Sequence, residues 1–236
     1  MRLYLLLLIG FQAILCAAYS QSSNPGQDSI IANYESRIGS ASFIFNGPEY
    51  FYSEAGFTTH SFYESPQFDN GTITYNGIVY NNVPLALDIL RDELVSISFD
   101  KSYKVRLVRE KVSGFTLRNA SFIAVEGDST RVVAPGYYQQ LVNGPATLMA
   151  KRIKKIQDNK TDRILKYNLE SNSKYYISRA GKYYHVTDKA SLLEALSDKS
   201  AEMNEFFRKA DVNFRLDPES AFVQAVRFYD EITSSK

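Results

Sequence analysis

Several residue types that carry chemistry in other proteins are scarce in this chain of 236 residues. It has one cysteine, two histidines and no tryptophan. Cys16 has no second cysteine to pair with, and neither His60 nor His185 has neighbours at metal-ligand spacing. Glycine is also sparse, at 12 residues, and the sequence offers no phosphate-binding loop. The sequence therefore predicts no catalytic, cofactor-binding or metal-binding residue.

An excess of charge of one sign is missing as well. The chain has 27 Lys and Arg against 26 Asp and Glu, so loss of Arg2 with an N-terminal leader would make the two numbers equal. A chain without net charge has no global field that draws it to nucleic acid or to an anionic bilayer. We therefore expect no nucleic-acid partner.

The one long apolar run lies at the N-terminus. Arg2 precedes an apolar segment that extends to Ala18, and Ala18 and Ser20 are small residues at the two positions that signal peptidase recognises. The pattern predicts a signal peptide over residues 1–20 and an exported protein, either periplasmic, outer-envelope associated or secreted. A membrane anchor is disfavoured because the run is barely long enough to span, so no transmembrane segment is expected after cleavage. Lipid attachment at Cys16 stays open as an alternative to its removal.

The middle of the chain alternates between apolar and polar residues with a period of two. Asn76-Gly77 is typical of a type I′ hairpin turn, and Asn81-Asn82 predicts a second turn shortly after it. The clearest alternation then places four apolar side chains on one face of a strand: Val83, Leu85, Leu87 and Ile89. Strands with one buried face and one wetter face are typical of antiparallel sheets.

Short candidate strands continue for about ninety residues, separated by turn-like pairs. These pairs are Asn119-Ala120, Asn143-Gly144, Asn172-Ser173 and Ala180-Gly181. No crossover helix that a parallel sheet would need precedes residue 187. The sequence predicts a mainly β fold, an antiparallel barrel or sandwich of many short strands, with a small C-terminal helical cap.

The last fifty residues change to a helical period. Asp188 and Ser197 are candidate N-caps for two helices, and Asp217-Pro218-Glu219 is a strong signal for the start of a third. The expected organisation is a signal peptide at 1–20, an irregular aromatic-rich leader segment at 21–70, an antiparallel β region at 71–187 and the helical cap at 188–236.

Two groups of charged residues are the remaining candidates for chemistry. Asp88, Asp92 and Glu93 lie close together, but alternation places Asp88 on a solvated face, and paired acids need a defined separation across a cleft. The run 151–155, which reads "KRIKK", places Arg152 and Lys154 on one face of a strand. Such a stripe could bind an anionic group, although lysines that protect a strand edge from pairing are the favoured interpretation.

Long stretches of the chain suggest a family. "FNGPEYFYSEAGFTTHSFYESPQFDNGTITYNGIVYNNVPLALDILRDELV", "GYYQQLVNGPATLMAKRIKKI" and "SLLEALSDKSAEMNEFFRKADVNFRLDPES" resemble an exported family of Bacteroidetes-type bacteria without an assigned activity. The resemblance covers nearly the whole mature chain, from about Tyr50 to Tyr229, and it implies a cell-envelope or secreted protein. It carries no functional residues over to this chain, and Leu87 departs from the aromatic residue common before the aspartate aligned with Asp88.

Two functions follow from these observations as hypotheses. The first is a non-enzymatic envelope protein that binds a partner protein or a small apolar ligand, as barrels of about eight strands can. The second is a hydrolase that uses carboxylates of the Ser29–Phe68 segment or of the Asp88–Glu93 corner. An apolar cavity favours the first, and two converging acids, one of them protonated near neutral pH, favour the second.

Overall fold

The computed structural model describes residues 43–51, 56–98, 100–158, 167–210 and 212–234. The predicted signal peptide and most of the predicted leader segment lie outside these residues. The described chain has ten strands and three α-helices. The strands are β1 (Asp69–Tyr75), β2 (Ile78–Asp88), β3 (Glu93–Ile97), β4 (Lys104–Arg106), β5 (Val112–Leu117), β6 (Ala120–Val125), β7 (Gly136–Val142), β8 (Ala146–Asp158), β9 (Tyr167–Arg179) and β10 (Lys182–Val186).

All ten strands belong to one antiparallel sheet with the order β10-β9-β8-β7-β6-β5-β1-β2-β3-β4. Two meanders, β1 to β4 and β5 to β10, join where β1 pairs with β5. The predicted antiparallel, mainly β fold is confirmed. The predicted barrel or sandwich fits only loosely. In the described part of the chain, β4 and β10 are the two end strands of a single open sheet and do not pair with each other.

The edge at β4 is covered by a segment that precedes the sheet in the chain. The Tyr50 N–H donates to the Lys104 carbonyl at 2.8 Å, and the Arg106 N–H donates to the Pro48 carbonyl at 2.9 Å. These bonds satisfy backbone groups that an exposed edge would leave open to pairing with another chain. The segment around residues 48–50 therefore covers the β4 edge, and β4 does not pair with β10.

Residues that tolerate positive φ explain both a correct and an incorrect turn prediction. Asn76 and Gly77 have φ of 51° and 76° and form the predicted turn between β1 and β2. The predicted turn at Asn81-Asn82 is wrong, since β2 continues through it; Asn82, with φ of 55°, lies where the register with β1 shifts. Asparagine tolerates the left-handed region, so the same residue type serves a turn or a bulge.

One further turn prediction fails. Asn172-Ser173 lies inside β9, which runs unbroken and pairs with β8 over the full length of both strands. By contrast, Ala180-Gly181 has positive φ at both residues and forms the tight turn between β9 and β10. The long β8–β9 hairpin thus extends beyond the part of β8 that pairs with β7, which reaches only to Ala150.

The core consists of apolar clusters on the faces of this sheet. The four alternating residues Val83, Leu85, Leu87 and Ile89 lie in one cluster with side chains of β1, β5 and β6, as predicted. A second cluster joins Leu148 and Ile177 of the sheet to the C-terminal helices. Complete burial of side chains such as Leu85 and Phe222 is the main source of stability in a chain without disulfides.

The C-terminal helices are α1 (Lys189–Ala195), α2 (Ser200–Lys209) and α3 (Pro218–Ser234). Asp188 caps α1 by accepting the Ser191 N–H, and Asp217 accepts the Ser220 N–H at 3.0 Å at the start of α3, so these two caps are confirmed. The predicted cap at Ser197 is wrong, because residues 197–199 form a 3-10 turn and α2 begins three residues later.

The three helices bury their apolar stripes against β7 to β10, including Leu192, Met203 and Phe222. None of the helices in the described ranges combines the length and the apolar character needed to cross a bilayer.

Candidate functional site

A cleft opens on the sheet where β7, β8 and β9 meet the segment before β1 and the first turn of α3. We call it the polar cleft. Its volume is about 530 Å³, within the range of small-ligand sites. Its lining residues are His60, Tyr63, Glu64, Ile89, Gln139, Arg152, Lys154, Ser171, Asn172, Ser173 and Glu219. All but one of these side chains carry a polar group.

Arg152 of β8 is the central charged group of the polar cleft. Its guanidinium binds both carboxylate oxygens of Glu219, at 2.6 and 2.8 Å, and donates to Gln139 at 2.7 Å and to Ser173 at 2.8 Å. Tyr175 donates to the same carboxylate at 2.9 Å. One arginine therefore links three adjacent strands and a helix, and bidentate pairing fixes its orientation.

Burial and pairing act in opposite directions on the two charges. Burial alone would raise the pKa of Glu219, but the hydrogen bond and charge of Arg152, with the Tyr175 hydroxyl, outweigh it and lower that pKa. Burial alone would likewise lower the pKa of Arg152, and the bond to Glu219 reverses this and raises it. Both groups are therefore held in their charged forms at neutral pH.

Lys154 attaches the loop before β1 to the sheet. Its ammonium donates to the His60 carbonyl at 2.6 Å and to the Phe62 carbonyl at 3.0 Å, and it lies 3.5 Å from the His60 ring. The favoured interpretation of these basic residues as edge protection is wrong for Lys154. Although β8 has no pairing with β7 beyond Ala150, the Lys154 N–H donates to the Ile89 carbonyl at 2.9 Å, and the side chain binds carbonyl groups of the protein. Lys155, by contrast, is exposed.

Tyr63 and Gln139 form the wall on one side of the polar cleft. The Tyr63 hydroxyl donates to the Gln139 side-chain oxygen at 3.4 Å, and the Tyr63 ring packs edge-on against Phe122 at 5.3 Å between ring centroids. Burial, with Glu64 nearby, raises the pKa of Tyr63 to about 12. The phenol therefore stays protonated and can act as a hydrogen-bond donor or acceptor at all physiological pH values.

A second cleft lies on the other side of that wall. This Arg118 cleft, of about 420 Å³, shares Tyr63, Glu64 and Gln139 with the polar cleft and is completed by Asp69, Arg118, Asn119 and Ala120. Arg118, in the turn between β5 and β6, lies 2.7 Å from Asp69 and 3.7 Å from Glu64. The two clefts thus lie side by side along the sheet.

The predicted carboxylate corner has a structural role at its first residue. Asp88 is fully buried, so the expectation of a solvated side chain is wrong. It accepts the Tyr50 hydroxyl at 2.7 Å and the backbone N–H groups of Leu90 and Arg91 at 2.9 and 3.1 Å. Alternation did place it opposite Leu87, but that face is covered by the segment containing Tyr50 and Phe62.

Asp92 at the same corner holds the β2–β3 turn against β7 and β8. Its carboxylate binds Lys151 at 2.6 Å and Arg109 at 3.3 Å. Burial lowers the pKa of Lys151, and the charge of Asp92 opposes that shift. Gly136 lies against the pair, and a Cβ there would displace the ends of both side chains. Its φ of 153° also favours glycine at this position.

A smaller cleft of about 250 Å³ lies beside this corner, lined by Asp92, Glu93, Arg106 and Arg109 among others. Arg106 is paired with Glu93 at 2.8 Å, and Arg109 with Asp92. Asp92 and Glu93 are therefore engaged in ion pairs, and Asp88 is enclosed by hydrogen bonds. The partners of these three acids stabilise the turn.

The sequence pointed to some members of the polar cleft and missed others. The basic run identified Arg152 and Lys154. The helix-start pattern included Glu219, but only as part of the signal for the start of a helix. His60, which the sequence did not connect with any site, is partly buried in the cleft wall. Gln139 and Ser173 gave no signal, because neutral polar residues on strands look alike until the register brings them together.

His185 has no part in the polar cleft. It lies on β10, exposed, with its ring 5.0 Å from that of Tyr176. Within the residues that the structure describes, no three His, Cys, Asp or Glu side chains lie close enough together to hold a metal ion.

Comparison of the chain with protein-family models, with curated proteins and with solved structures gave no match. The resemblance to an exported bacterial family therefore stays a prediction.

Proposed function

We propose that this chain is an exported, non-enzymatic binding protein of the cell envelope, and that the polar cleft binds an uncharged ligand rich in hydroxyl or amide groups. The observation that carries the proposal is the Arg152–Glu219 pair, with its neighbours Gln139, Ser173 and Tyr175. The hydrogen bonds of this network hold its polar groups in fixed positions, which reduces the ordering cost of binding.

The protonation states of the polar cleft favour binding over acid–base catalysis. A general acid or base works best with a pKa near the operating pH. Here the pKa of Glu219 is lowered and that of Arg152 is raised. The pKa of Tyr63 is raised to about 12. Glu219 therefore stays deprotonated through the neutral pH range, and Arg152 and Tyr63 stay protonated.

The lining also favours a polar ligand over the apolar ligand that the sequence suggested. Ile89 is the one lining residue without a polar side chain, and it is 7% exposed because it belongs to the core. An apolar molecule in this cleft would remove water from charged and amide groups without replacing their hydrogen bonds. A hydroxyl or amide ligand would supply both donors and acceptors.

Export rests on the N-terminal pattern. We expect the full chain, produced in a bacterial host, to lose residues 1–20 and to begin at Gln21 when recovered from the periplasm or medium. Mass spectrometry of the purified protein measures this directly. Recovery of the intact N-terminus from the cytoplasm alone would contradict it.

A ligand panel tests the binding function. Purified protein is heated with neutral saccharides and polyols, with small amides, and with fatty acids as apolar competitors. A member of the polar classes should raise the melting temperature in proportion to the logarithm of its concentration. Stabilisation by fatty acids alone would overturn the proposal, as would stabilisation by none of the three classes.

Two matched variants locate the site. Ser171→Ala removes an exposed hydroxyl that lines the polar cleft, on the face of β9 that carries Ser173, and Ser129→Ala removes an exposed hydroxyl from the β6–β7 connection outside it. Ser171→Ala should weaken binding of the stabilising ligand, whereas Ser129→Ala should not. Equal effects of the two variants would place the binding site elsewhere.

A further inference from the structure

The wall between the polar cleft and the Arg118 cleft is shared by both. Tyr63 and Gln139 line each cleft, and their side chains meet at 3.4 Å. A molecule that filled the polar cleft and extended past this pair would enter the Arg118 cleft. We propose that the two clefts form one groove, and that the groove binds an uncharged saccharide chain of two or more sugar units. This inference rests on the proposed binding function of the polar cleft.

Charge balance in the groove points to an uncharged ligand. Three acidic side chains line it, Glu64, Asp69 and Glu219, and three basic ones, Arg118, Arg152 and Lys154. The close pairs are Arg152 with Glu219 at 2.6 Å and Arg118 with Asp69 at 2.7 Å. Paired charges of both signs give no net field to attract a polyanion or a polycation, but they present fixed donors and acceptors.

The backbone at the groove argues against an extended peptide. Peptides commonly bind by adding a strand to a free sheet edge or by inserting apolar side chains into pockets. At Gln139, β7 pairs with both β6 and β8 and offers no free edge. Beyond Ala150, where β8 has no β7 partner, the Lys154 N–H is already bound by the Ile89 carbonyl. The lining is polar, and Tyr63 is its aromatic member.

The remaining chemistry suits hydroxyl groups. Asn119 presents an amide that can donate and accept at once, as vicinal hydroxyls require. Gln139 keeps its NH2 group as a donor, while its oxygen is bound by Arg152 and Tyr63. Tyr63 lies between the two clefts and adds an aromatic ring of the kind on which the apolar face of a sugar can rest. Each cleft, at about 530 and 420 Å³, is large enough for a small ligand. Two neighbouring clefts of this size fit a chain of sugar units better than they fit one monosaccharide.

The inference is tested by chain length. Titration calorimetry compares monosaccharides with linear di-, tri- and tetrasaccharides of glucose, mannose, xylose, galactose and N-acetylglucosamine. For the sugar that binds, affinity should rise at least about tenfold from one unit to four, because the added units make further hydrogen bonds in the Arg118 cleft.

Three alanine variants assign the gain to the second cleft. Asn119→Ala, in the Arg118 cleft, should reduce tetrasaccharide affinity by about tenfold and leave monosaccharide affinity unchanged. Ser171→Ala, in the polar cleft, should weaken the binding of both. Asn143→Ala, which removes an exposed amide of the β7–β8 connection, is matched to Asn119→Ala and should weaken the binding of neither.

The failures of the two proposals can be told apart. Equal affinity for one and four units, with no effect of Asn119→Ala, would overturn the shared groove and leave the binding function in place. Binding of small amides but of no saccharide would overturn the saccharide inference alone. Stabilisation by fatty acids alone, or by no compound of either panel, would overturn both.

Discussion

Arg152 on β8 and Glu219 in the first turn of α3 are joined by two hydrogen bonds of 2.6 and 2.8 Å. The two residues are 67 positions apart in the chain, and their side chains are 16% and 33% exposed. The pair attaches the C-terminal helix to the middle of the sheet and at the same time forms the floor of the polar cleft. Stability and the proposed binding function therefore depend on the same contact.

Removing the charge of Glu219 should destabilise the fold. In Glu219→Gln, Arg152 keeps its partly buried position but loses its counter-charge, and we expect a loss of about 1–3 kcal/mol in the free energy of unfolding. Urea denaturation measures it. Glu205→Gln is the matched control, because Glu205 pairs with Lys209 on the exposed surface of α2 and such pairs contribute little. Equal losses in the two variants would contradict the role of the pair.

The same pair predicts a dependence of stability on pH. Because the folded protein lowers the pKa of Glu219 below its ordinary value of 4.5, the stabilisation is complete above that value and is lost as the pH falls through the lowered pKa. The difference in unfolding free energy between the wild type and Glu219→Gln should therefore be constant near neutral pH and should shrink in acid. A difference that grows on acidification would contradict the direction of the shift.

Lys154 and Lys155 should differ sharply although they are neighbours on one strand. Lys154→Ser removes the bonds to the carbonyls of His60 and Phe62. We expect it to lower the unfolding free energy by about 1–3 kcal/mol. Lys155→Ser changes an exposed side chain and should have no measurable effect. Neither variant should self-associate in analytical ultracentrifugation, because β8 pairs with β9 on one side and its other side is bound at Lys154 by the Ile89 carbonyl. Oligomers of Lys155→Ser would restore the edge-protection hypothesis.

The ion pair between Asp92 and Lys151 should be asymmetric. Asp92→Asn leaves the Lys151 ammonium, 13% exposed, without a carboxylate, and should cost about 2–4 kcal/mol. Lys151→Met leaves Asp92 still paired with Arg109 at 3.3 Å, and should cost less. The double variant should be more stable than Asp92→Asn alone, because it no longer buries an unpaired charge. Denaturation of the three proteins measures the order, and the reverse order would contradict it.

The sequence predicted the parts of the fold that depend on local periodicity. The face formed by Val83, Leu85, Leu87 and Ile89 and the turn at Asn76-Gly77 follow from side-chain alternation and from positive φ, which short segments express by themselves. The caps at Asp188 and Asp217 are equally local. These features need no information about distant residues.

The errors arose where a local signal has more than one structural use. Asn81-Asn82 became a bulge and Asn172-Ser173 the interior of a strand, because neighbouring strands already supplied the hydrogen bonds that a turn would have broken. Asp88 was placed on the correct face, but the burial of that face comes from Tyr50, which is 38 residues away. No local pattern could report this coverage.

The candidate site was beyond prediction for the same reason. The sequence by itself determined an antiparallel, mainly β chain with three C-terminal helices and a basic run on one strand, since backbone geometry converts residue spacing directly into faces and turns. Only the tertiary structure decided that the sheet stays open, that Arg152 meets Glu219, and that Gln139 and Tyr63 stand between two clefts. Those contacts join residues far apart in the chain, and their energies depend on register and burial, which exist only once the chain has folded.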